Sequence, residues 1–289
     1  MASLISIQIN GQDKVADNLS RVEELIEKSL EKADAQRLIV LPECFSIFGV
    51  PGQDMLAAAE LEGDGPIQSF LSDTAARYNC CIVAGTTPLI ASKKMKKYAA
   101  ASLVFDPQGQ VISRYDKIHM FDVEVADKTR SYRESAFTQA GSTLALFDFE
   151  FGAETLEVAQ TVCYDLRFPN MFSAYAQFTR HKQAPAIVVV PSAFTLATGQ
   201  AHWHALLRAR SIENQCFVVA SNQVGKHADK RQTFGNSCIY SPWGECLDVV
   251  EATDNINEGF AIASFDPKIL DSVRRKMPIQ SHKKERYTL

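Results

Sequence analysis

The sequence predicts an α/β fold, because segments with strand-like apolar residues are followed by segments with helical spacing. The opening segment, Leu4 to Ile9, is strand-like. Apolar residues then recur every third or fourth position from Val15 to Leu30, which predicts an amphipathic helix. A second strand, Leu38 to Leu41, ends at Pro42. Strands that alternate with helices along the chain are typical of α/β proteins.

The alternation continues and is then interrupted by two β-hairpins. A helix is predicted from Pro66 to Tyr78 and an apolar strand from Cys80 to Thr86. The hairpin from Tyr98 to Tyr115 turns at an Asp-Pro-Gln-Gly sequence, and that from Ser237 to Val250 turns at Ser-Pro-Trp-Gly. Both sequences contain the residues that favour tight turns.

Short motifs in the first half of the chain are echoed in the second half. Segment 41–45 resembles segment 190–194, and segment 83–85 resembles segment 219–221. Either two similar halves pack as one body, or short apolar motifs match by chance. No linker rich in Pro, Gly or Ser separates the halves. We therefore predict one domain over residues 1–289, with a core at about 3–265 and a C-terminal extension at about 266–289.

Composition and charge exclude several classes of protein. With 46% apolar and 22% charged residues, the chain has the composition of a globular protein. Its 30 basic and 34 acidic residues give a net charge of -4, which argues against nucleic acid as a partner. We find no export signal and no membrane-spanning segment in the sequence. Seven cysteines, several of them within apolar runs, favour a reducing cytoplasm.

The segment from Leu156 to Arg167 is the most informative for function. An alternating strand delivers Cys163, and Asp165 to Pro169 then opens a helix. A thiol at such a turn lies near the positive end of the helix dipole and near backbone N–H groups, which lower a thiol pKa and stabilise an oxyanion. We therefore predict that Cys163 is a nucleophile. The alternative is a small buried core residue, as free cysteines often are.

Two charged residues occupy comparable positions. Glu43 follows the strand at Leu38 to Leu41, at the carboxyl edge of a sheet, where open α/β folds place their sites. Lys117 ends the hairpin strand that begins at Val111. Singly, Glu43 also suits the cap of a turn, and Lys117 suits a sheet edge with its ammonium in water. Together with a thiol they supply a base and a fixed positive charge, which suffice for acyl transfer without histidine.

Other catalytic chemistries find less support in the sequence. None of the six histidines has a local sequence that indicates the base of a Cys–His pair. His202 and His204 lie two positions apart on a predicted helix and face away from each other, and no cysteine pair has zinc spacing. A glycine-rich phosphate-binding loop is also missing. We therefore expect no metal and no cofactor.

Three motifs resemble the carbon–nitrogen hydrolase, or nitrilase, superfamily, whose catalytic triad is Glu–Lys–Cys. They are Leu41-Pro42-Glu43, Tyr115-Asp116-Lys117-Ile118-His119 and Cys163-Tyr164-Asp165-Leu166-Arg167-Phe168-Pro169. The resemblance covers about residues 3–282 and is strongest to the Nit branch, through segments 121–125, 133–135, 193–195 and 198–203. It implies a four-layer αββα sandwich and an enzyme that hydrolyses linear amides.

The resemblance also implies roles for individual residues. Glu43 is expected to be the general base and Cys163 the nucleophile. Lys117 is expected to hold the oxyanion together with the backbone N–H of Tyr164. Glu134 matches a second glutamate of the family, which orients the lysine and assists proton transfer. Helix capping or a surface ion pair is the alternative for Glu134.

Three further residues are candidates for substrate binding. Arg167 suits a bidentate clamp on a substrate carboxylate, or an ion pair with Asp165 or another acid. Phe194 and Trp203 suit either the wall of a pocket or the core.

The expected reaction is hydrolysis of a small acidic amide through a thioester on Cys163. Deaminated glutathione, which would give 2-oxoglutarate and cysteinylglycine, is the first candidate substrate. Because it is anionic at both ends, Arg133 and segment 226–231 are expected to contact its distal carboxylate. α-Ketoglutaramate, an N-carbamoyl amino acid and a nitrile are alternative substrates. A non-catalytic scaffold is the remaining alternative.

One loop departs from the pattern of the family. Ala126 stands where many members of the family continue with Pro-Gly, so the loop from Ala126 to Tyr132 leaves the choice of substrate open. We also expect the chain to form a homo-oligomer, with a dimer as the expected state.

Overall fold

The computed structural model describes residues 2–124, 131–180, 183–251 and 257–284. Most of the loop from Ala126 to Tyr132 therefore lies outside the described residues.

Strands and helices alternate as the sequence predicts. In chain order the strands are β1 (Ala2–Gln8), β2 (Gln36–Val40), β3 (Glu60–Leu61), β4 (Cys81–Val83), β5 (Thr87–Ile90), β6 (Tyr98–Phe105), β7 (Val111–Asp116), β8 (Asp122–Glu124), β9 (Ser131–Arg133), β10 (Thr138–Gln139), β11 (Leu146–Phe151), β12 (Glu154–Gln160), β13 (Ile187–Ser192), β14 (Phe217–Asn222), β15 (Val224–Lys226), β16 (Gln232–Phe234), β17 (Cys238–Tyr240), β18 (Cys246–Val249) and β19 (Gly259–Phe265). The helices are α1 (Val15–Leu30), α2 (Gly52–Ala57), α3 (Pro66–Tyr78), α4 (Pro169–Ala174), α5 (Leu196–Asn214), α6 (Pro267–Lys276) and α7 (Ile279–His282).

Two large sheets share the same local topology. The first has the order β19-β1-β2-β4-β6-β5-β3, with β7 and β10 also paired to β6, and the second has the order β11-β12-β13-β14-β17-β18. In each sheet three parallel strands are followed by an antiparallel hairpin, β6–β7 or β17–β18. The echoed segments lie at or just after the ends of matching strands, β2 with β13 and β4 with β14, which favours two similar halves over chance matches.

Alternation along each strand builds a four-layer sandwich. Leu38 and Val40 of β2 lie in the core between the two sheets. Their neighbours Ile39 and Leu41 pack with α1 and α3 on the outer face of the first sheet. The second sheet is covered in the same way by α4 and α5. Both faces of the central strands are buried, which explains their continuous apolar sequences. The predicted αββα fold is confirmed.

The C-terminal segment is partly packed onto this body. Leu270 of α6 lies in the core between the sheets. Arg274 donates from its Nη2 to the carbonyl oxygens of Ala184 and Pro185, at 2.8 and 2.9 Å. The basic sequence of this helix therefore serves, at Arg274, to attach the helix to the second half of the chain.

Gly85 allows β4 to approach the segment that leads to Glu43. It has a φ of +45°, and an added Cβ would lie 1.9 Å from the carbonyl oxygen of Pro42. Backbone atoms cannot yield as a flexible side chain can, so this close approach requires glycine.

We predict that Gly85→Ala lowers the free energy of unfolding by about 2–5 kcal/mol, from about 1–2 kcal/mol of left-handed backbone and about 1–3 kcal/mol of overpacking. Gly152→Ala is the matched control, because Gly152 has a φ of +61° and open space around an added Cβ. Gly152→Ala should lower the free energy of unfolding only by the about 1–2 kcal/mol that comes from the left-handed backbone. Urea denaturation measures both, and equal losses would contradict a role for the contact with Pro42.

Candidate active site

A turn after β12 presents the Cys163 side chain. Val162 is still extended, and Cys163 then adopts a left-handed conformation with a φ of +48°. A 3-10 turn, Cys163–Arg167, follows, and α4 begins only at Pro169. The predicted helix opening is therefore a short 3-10 turn. Left-handed backbone is uncommon outside glycine and is found at sites where a side chain must be aimed.

Glu43 connects the first sheet to the second. It follows β2 and is 5% exposed. One carboxylate oxygen lies 2.8 Å from Nζ of Lys117, and the other accepts a hydrogen bond from the backbone N–H of Ala193 at 2.9 Å. Ala193 belongs to the segment that echoes the Glu43 motif, so the two echoed segments meet at this site.

Lys117 is held by two carboxylates. Its Nζ lies 2.8 Å from Glu43 and 2.8 and 2.9 Å from the two oxygens of Glu134, and the side chain is 2% exposed. Burial alone would lower the pKa of Lys117, but Glu134 and Glu43 outweigh it and hold the pKa well above its ordinary value. The ammonium is therefore a permanent positive charge.

Burial shifts the pKa of Glu134 in the opposite direction from that of Lys117. Burial raises its pKa, and the negative charge of Glu43 adds to this effect, so the net shift is upward despite the neighbouring Lys117. One of its oxygens also accepts the backbone N–H of Phe121 at 2.7 Å. These contacts place Glu134 in the Lys117 cluster rather than in a capping role or a surface ion pair.

A buried carboxylate joins the strand of Lys117 to the turn of Cys163. Asp165 is fully buried and accepts hydrogen bonds from the Tyr115 hydroxyl at 2.6 Å and from the backbone N–H of Val162 at 2.8 Å. It also accepts the backbone N–H of His119 at 3.1 Å and lies 2.6 Å from Nδ1 of that ring. Sequence reasoning missed this role, although these residues stand within the quoted motifs.

Arg167 makes no ion pair with Asp165. Its guanidinium carbon lies 5.2 Å from the Phe194 ring centroid and 5.9 Å from that of Tyr164, and its Nη1 is 3.3 Å from Nδ1 of His202. These two aromatic rings hold the Arg167 guanidinium beside the turn that carries Cys163.

A cavity of about 570 Å³ contains the predicted site. Glu43, Lys117, Glu134 and Cys163 line it, together with the predicted substrate-binding residues Tyr164, Arg167 and Phe194. Arg133, Lys230 and Arg231 line it as well, whereas Lys226 does not.

Of the two alternatives for Trp203, the structure supports the core and not the wall of the pocket. Trp203 is fully buried, lies behind Phe194 at 5.0 Å between ring centroids, and donates from Nε1 to the carbonyl oxygen of Asn236. It supports the wall from the core, because its large apolar ring is best buried once its N–H has a partner.

The described residues lack the features of a metal centre and of a membrane-spanning helix. Within these residues no group of three or more His, Cys, Asp or Glu side chains is arranged to hold a metal ion. No helix among them has the length and apolar character needed to cross a membrane.

Comparison with known proteins agrees with the geometry. The carbon–nitrogen hydrolase family matches residues 4–275. The chain belongs to this family.

Individual relatives of this carbon–nitrogen hydrolase cover nearly the whole chain. A protein of Yersinia enterocolitica named deaminated glutathione amidase is 35% identical, over 97% of this chain and 92% of its own. A protein of Saccharomyces cerevisiae named omega-amidase NIT3 is 30% identical, over 98% of this chain and 92% of its own. The crystal structure of Saccharomyces cerevisiae Nit3, from branch 10 of the nitrilase superfamily, superposes with a TM-score of 0.83 at 25% identity, covering 99% and 97% of the two chains.

The thiol environment of this carbon–nitrogen hydrolase differs from the one that the sequence predicts. Burial and the negative charge of Glu43 raise the pKa of Cys163 well above its ordinary value, although Lys117 opposes them. A five-residue 3-10 turn has too few aligned peptides to offset burial. The thiol is therefore protonated at neutral pH, so the nucleophilic role predicted for Cys163 requires a base.

We predict that Cys163 contributes no thiolate below about pH 8.5, whereas the exposed Cys246, whose pKa a hydrogen bond from Cys238 lowers to about 7, does contribute. In a titration followed at 240 nm, Cys246→Ala should remove the step near pH 7, and Cys163→Ala should leave the curve unchanged below about pH 8.5. Because folding raises the pKa of Cys163, the protonated thiol makes its full contribution to the free energy of unfolding at pH values below the pKa of the unfolded chain. This contribution is lost as the pH rises towards the pKa of the folded protein. A step in the 240 nm titration below about pH 8.5 that disappears in Cys163→Ala would contradict the prediction.

Proposed function

We propose that this protein is a thiol amidase that hydrolyses deaminated glutathione to 2-oxoglutarate and cysteinylglycine. The observation that carries the proposal is the composition of one cavity. It contains the buried Glu43–Lys117–Cys163 group and is also lined by four further cations, Arg133, Arg167, Lys230 and Arg231. A substrate with a carboxylate at each end matches this distribution of charge.

The acylation step follows from the position of Glu43 as the base. Glu43 takes the thiol proton as Sγ of Cys163 attacks the amide carbonyl carbon. Lys117 and the backbone N–H of Tyr164 stabilise the resulting oxyanion. The carbon–nitrogen bond then breaks, and the proton held by Glu43 passes to the departing amine of cysteinylglycine. The product is a thioester on Cys163.

The deacylation step uses the same groups. Glu43 removes a proton from water, the hydroxyl oxygen attacks the thioester carbonyl carbon, and the thiol leaves with the proton returned. Glu134 keeps the ammonium of Lys117 in place with both oxygens. Its raised pKa also suits it to accept a proton transiently while Glu43 is charged.

The main alternative is an ω-amidase that acts on α-ketoglutaramate. It is supported by the yeast relative of that name, which is 30% identical. This smaller amide has the same 2-oxo acid half but one carboxylate instead of two. The two hypotheses share the chemistry at Cys163. They differ in whether the cations of the cavity lining bind a second carboxylate.

We also infer that the chain is one domain, because residues of both sheets share the central core. A homodimer is supported by apolar side chains left exposed on α5 and around the β17–β18 hairpin: Ile212, Trp243 and Leu247. A cytoplasmic location is supported by the seven free cysteines.

The proposed function predicts both the substrate and the attacking atom. Purified protein should release cysteinylglycine from deaminated glutathione faster than it hydrolyses α-ketoglutaramate, carbamoyl-β-alanine or simple nitriles. Cys163→Ala should abolish turnover because the thioester cannot form, and mass spectrometry of the wild type should find the acyl group on Cys163. Near-native turnover by Cys163→Ala, or an adduct on Cys44, would contradict the assignment.

We predict that Arg167→Met lowers kcat/KM on acidic substrates by about 10- to 150-fold, the loss expected for a charge-assisted hydrogen bond of about 1.5–3 kcal/mol. A neutral amide of matching length should be affected far less. Steady-state kinetics on the two substrates gives the comparison. Equal losses on both would instead assign Arg167 to support of the Cys163 turn.

A further inference from the structure

The turn between β15 and β16 forms a fixed platform on the cavity wall. His227, which is buried, places Nδ1 2.7 Å from the carbonyl oxygen of Gly11 and Nε2 2.7 Å from the Thr233 hydroxyl. The backbone N–H of His227 donates to the carbonyl of Arg231, and that of Lys230 donates to the carbonyl of His227, both at 2.9 Å. The turn therefore cannot shift without breaking buried hydrogen bonds.

Arg231 is the cation that this platform orients. Its guanidinium carbon lies 5.1 Å from the ring centroid of Phe48 and 5.4 Å from that of Tyr132, and its Nη2 is 3.0 Å from Asp229. Among the described residues, no protein acceptor takes a hydrogen bond from its Nε or Nη1. Arg133 and Lys230, which line the same cavity, are exposed, whereas Arg231 is half-buried. An oriented guanidinium whose Nε and Nη1 have no acceptor among the described residues is suited to bind a carboxylate.

A row of aromatic rings separates Arg231 from the Cys163 turn. Tyr164, next to Cys163, lies 5.1 Å from Phe121, which lies 5.1 Å from Tyr132, the ring beneath Arg231. Arg167, by contrast, contacts Tyr164 directly. The leaving group of deaminated glutathione is a dipeptide, so its terminal carboxylate lies about 7 Å beyond the scissile bond when extended.

We propose that Arg231 binds the distal glycine carboxylate of deaminated glutathione and thereby selects this substrate over shorter ω-amides. The proposal rests on the proposed function and adds a specificity-determining residue to it. Asp229 pairs with Arg231 and keeps the guanidinium on the platform.

The test combines a protein variant with a change in the substrate. Arg231→Met and wild type are compared on deaminated glutathione, on its analogue with a terminal carboxamide, and on α-ketoglutaramate. Arg275→Met, at an exposed arginine of α6 outside the cavity lining, is the control. We expect Arg231→Met to lower kcat/KM on deaminated glutathione by about 10- to 100-fold, mainly through KM, and the other two substrates to change less than about twofold.

Each of the following outcomes either supports or overturns the role proposed for Arg231. Wild type should itself lose activity, by a similar factor, when the carboxylate becomes a carboxamide. A loss in Arg231→Met that is equal for the acid and the carboxamide overturns the role of Arg231 and leaves the proposed function intact. Wild type that prefers α-ketoglutaramate tenfold or more over deaminated glutathione overturns the proposed substrate, and the role of Arg231 with it. Arg231→Lys, which keeps the charge but not the fork, should recover part of the loss.

Discussion

The buried ammonium of Lys117 is the charge around which the site is organised. It lies within 3 Å of Glu43 and Glu134, and each of these carboxylates would otherwise be a buried, uncompensated charge. Removing one partner of a buried ion pair typically costs about 3–5 kcal/mol. The three side chains come from different parts of the chain, so this balance of charge also fixes where β2, β7 and the segment after β9 meet.

Contacts between the two sheets complete the arrangement. Glu43, which follows β2 of the first sheet, accepts the N–H of Ala193, which follows β13 of the second sheet. Asp165 binds Tyr115 and His119 of the first half while it holds the turn that carries Cys163. Cys163, the proposed nucleophile, and Glu43, its proposed base, are therefore positioned by hydrogen bonds across the sandwich.

The electrostatics favour a base-dependent thiol over a preformed thiolate. Burial and Glu43 raise the pKa of Cys163, so in the proposed mechanism the thiol becomes reactive as its proton moves to the neighbouring carboxylate. A neutral resting thiol is also less open to oxidation than a thiolate, since susceptibility follows thiolate character. Aromatic rings of the cavity lining hold Arg167 and Arg231, the two cations that we propose bind the substrate.

The sequence by itself determined the α/β class, the elements β1, α1, β2, α3, β4 and β12, and the β6–β7 and β17–β18 hairpins, and it predicted Glu43, Lys117 and Cys163 as a group, because apolar period, turn residues and strand ends are local signals. It did not determine that Trp203 lies in the core, that Arg167 makes no ion pair with Asp165, or that burial outweighs the helix dipole at Cys163. Those outcomes depend on which atoms surround a side chain after residues distant in sequence have packed together. Burial and hydrogen-bond partners are properties of that three-dimensional neighbourhood, so only the tertiary structure decided them.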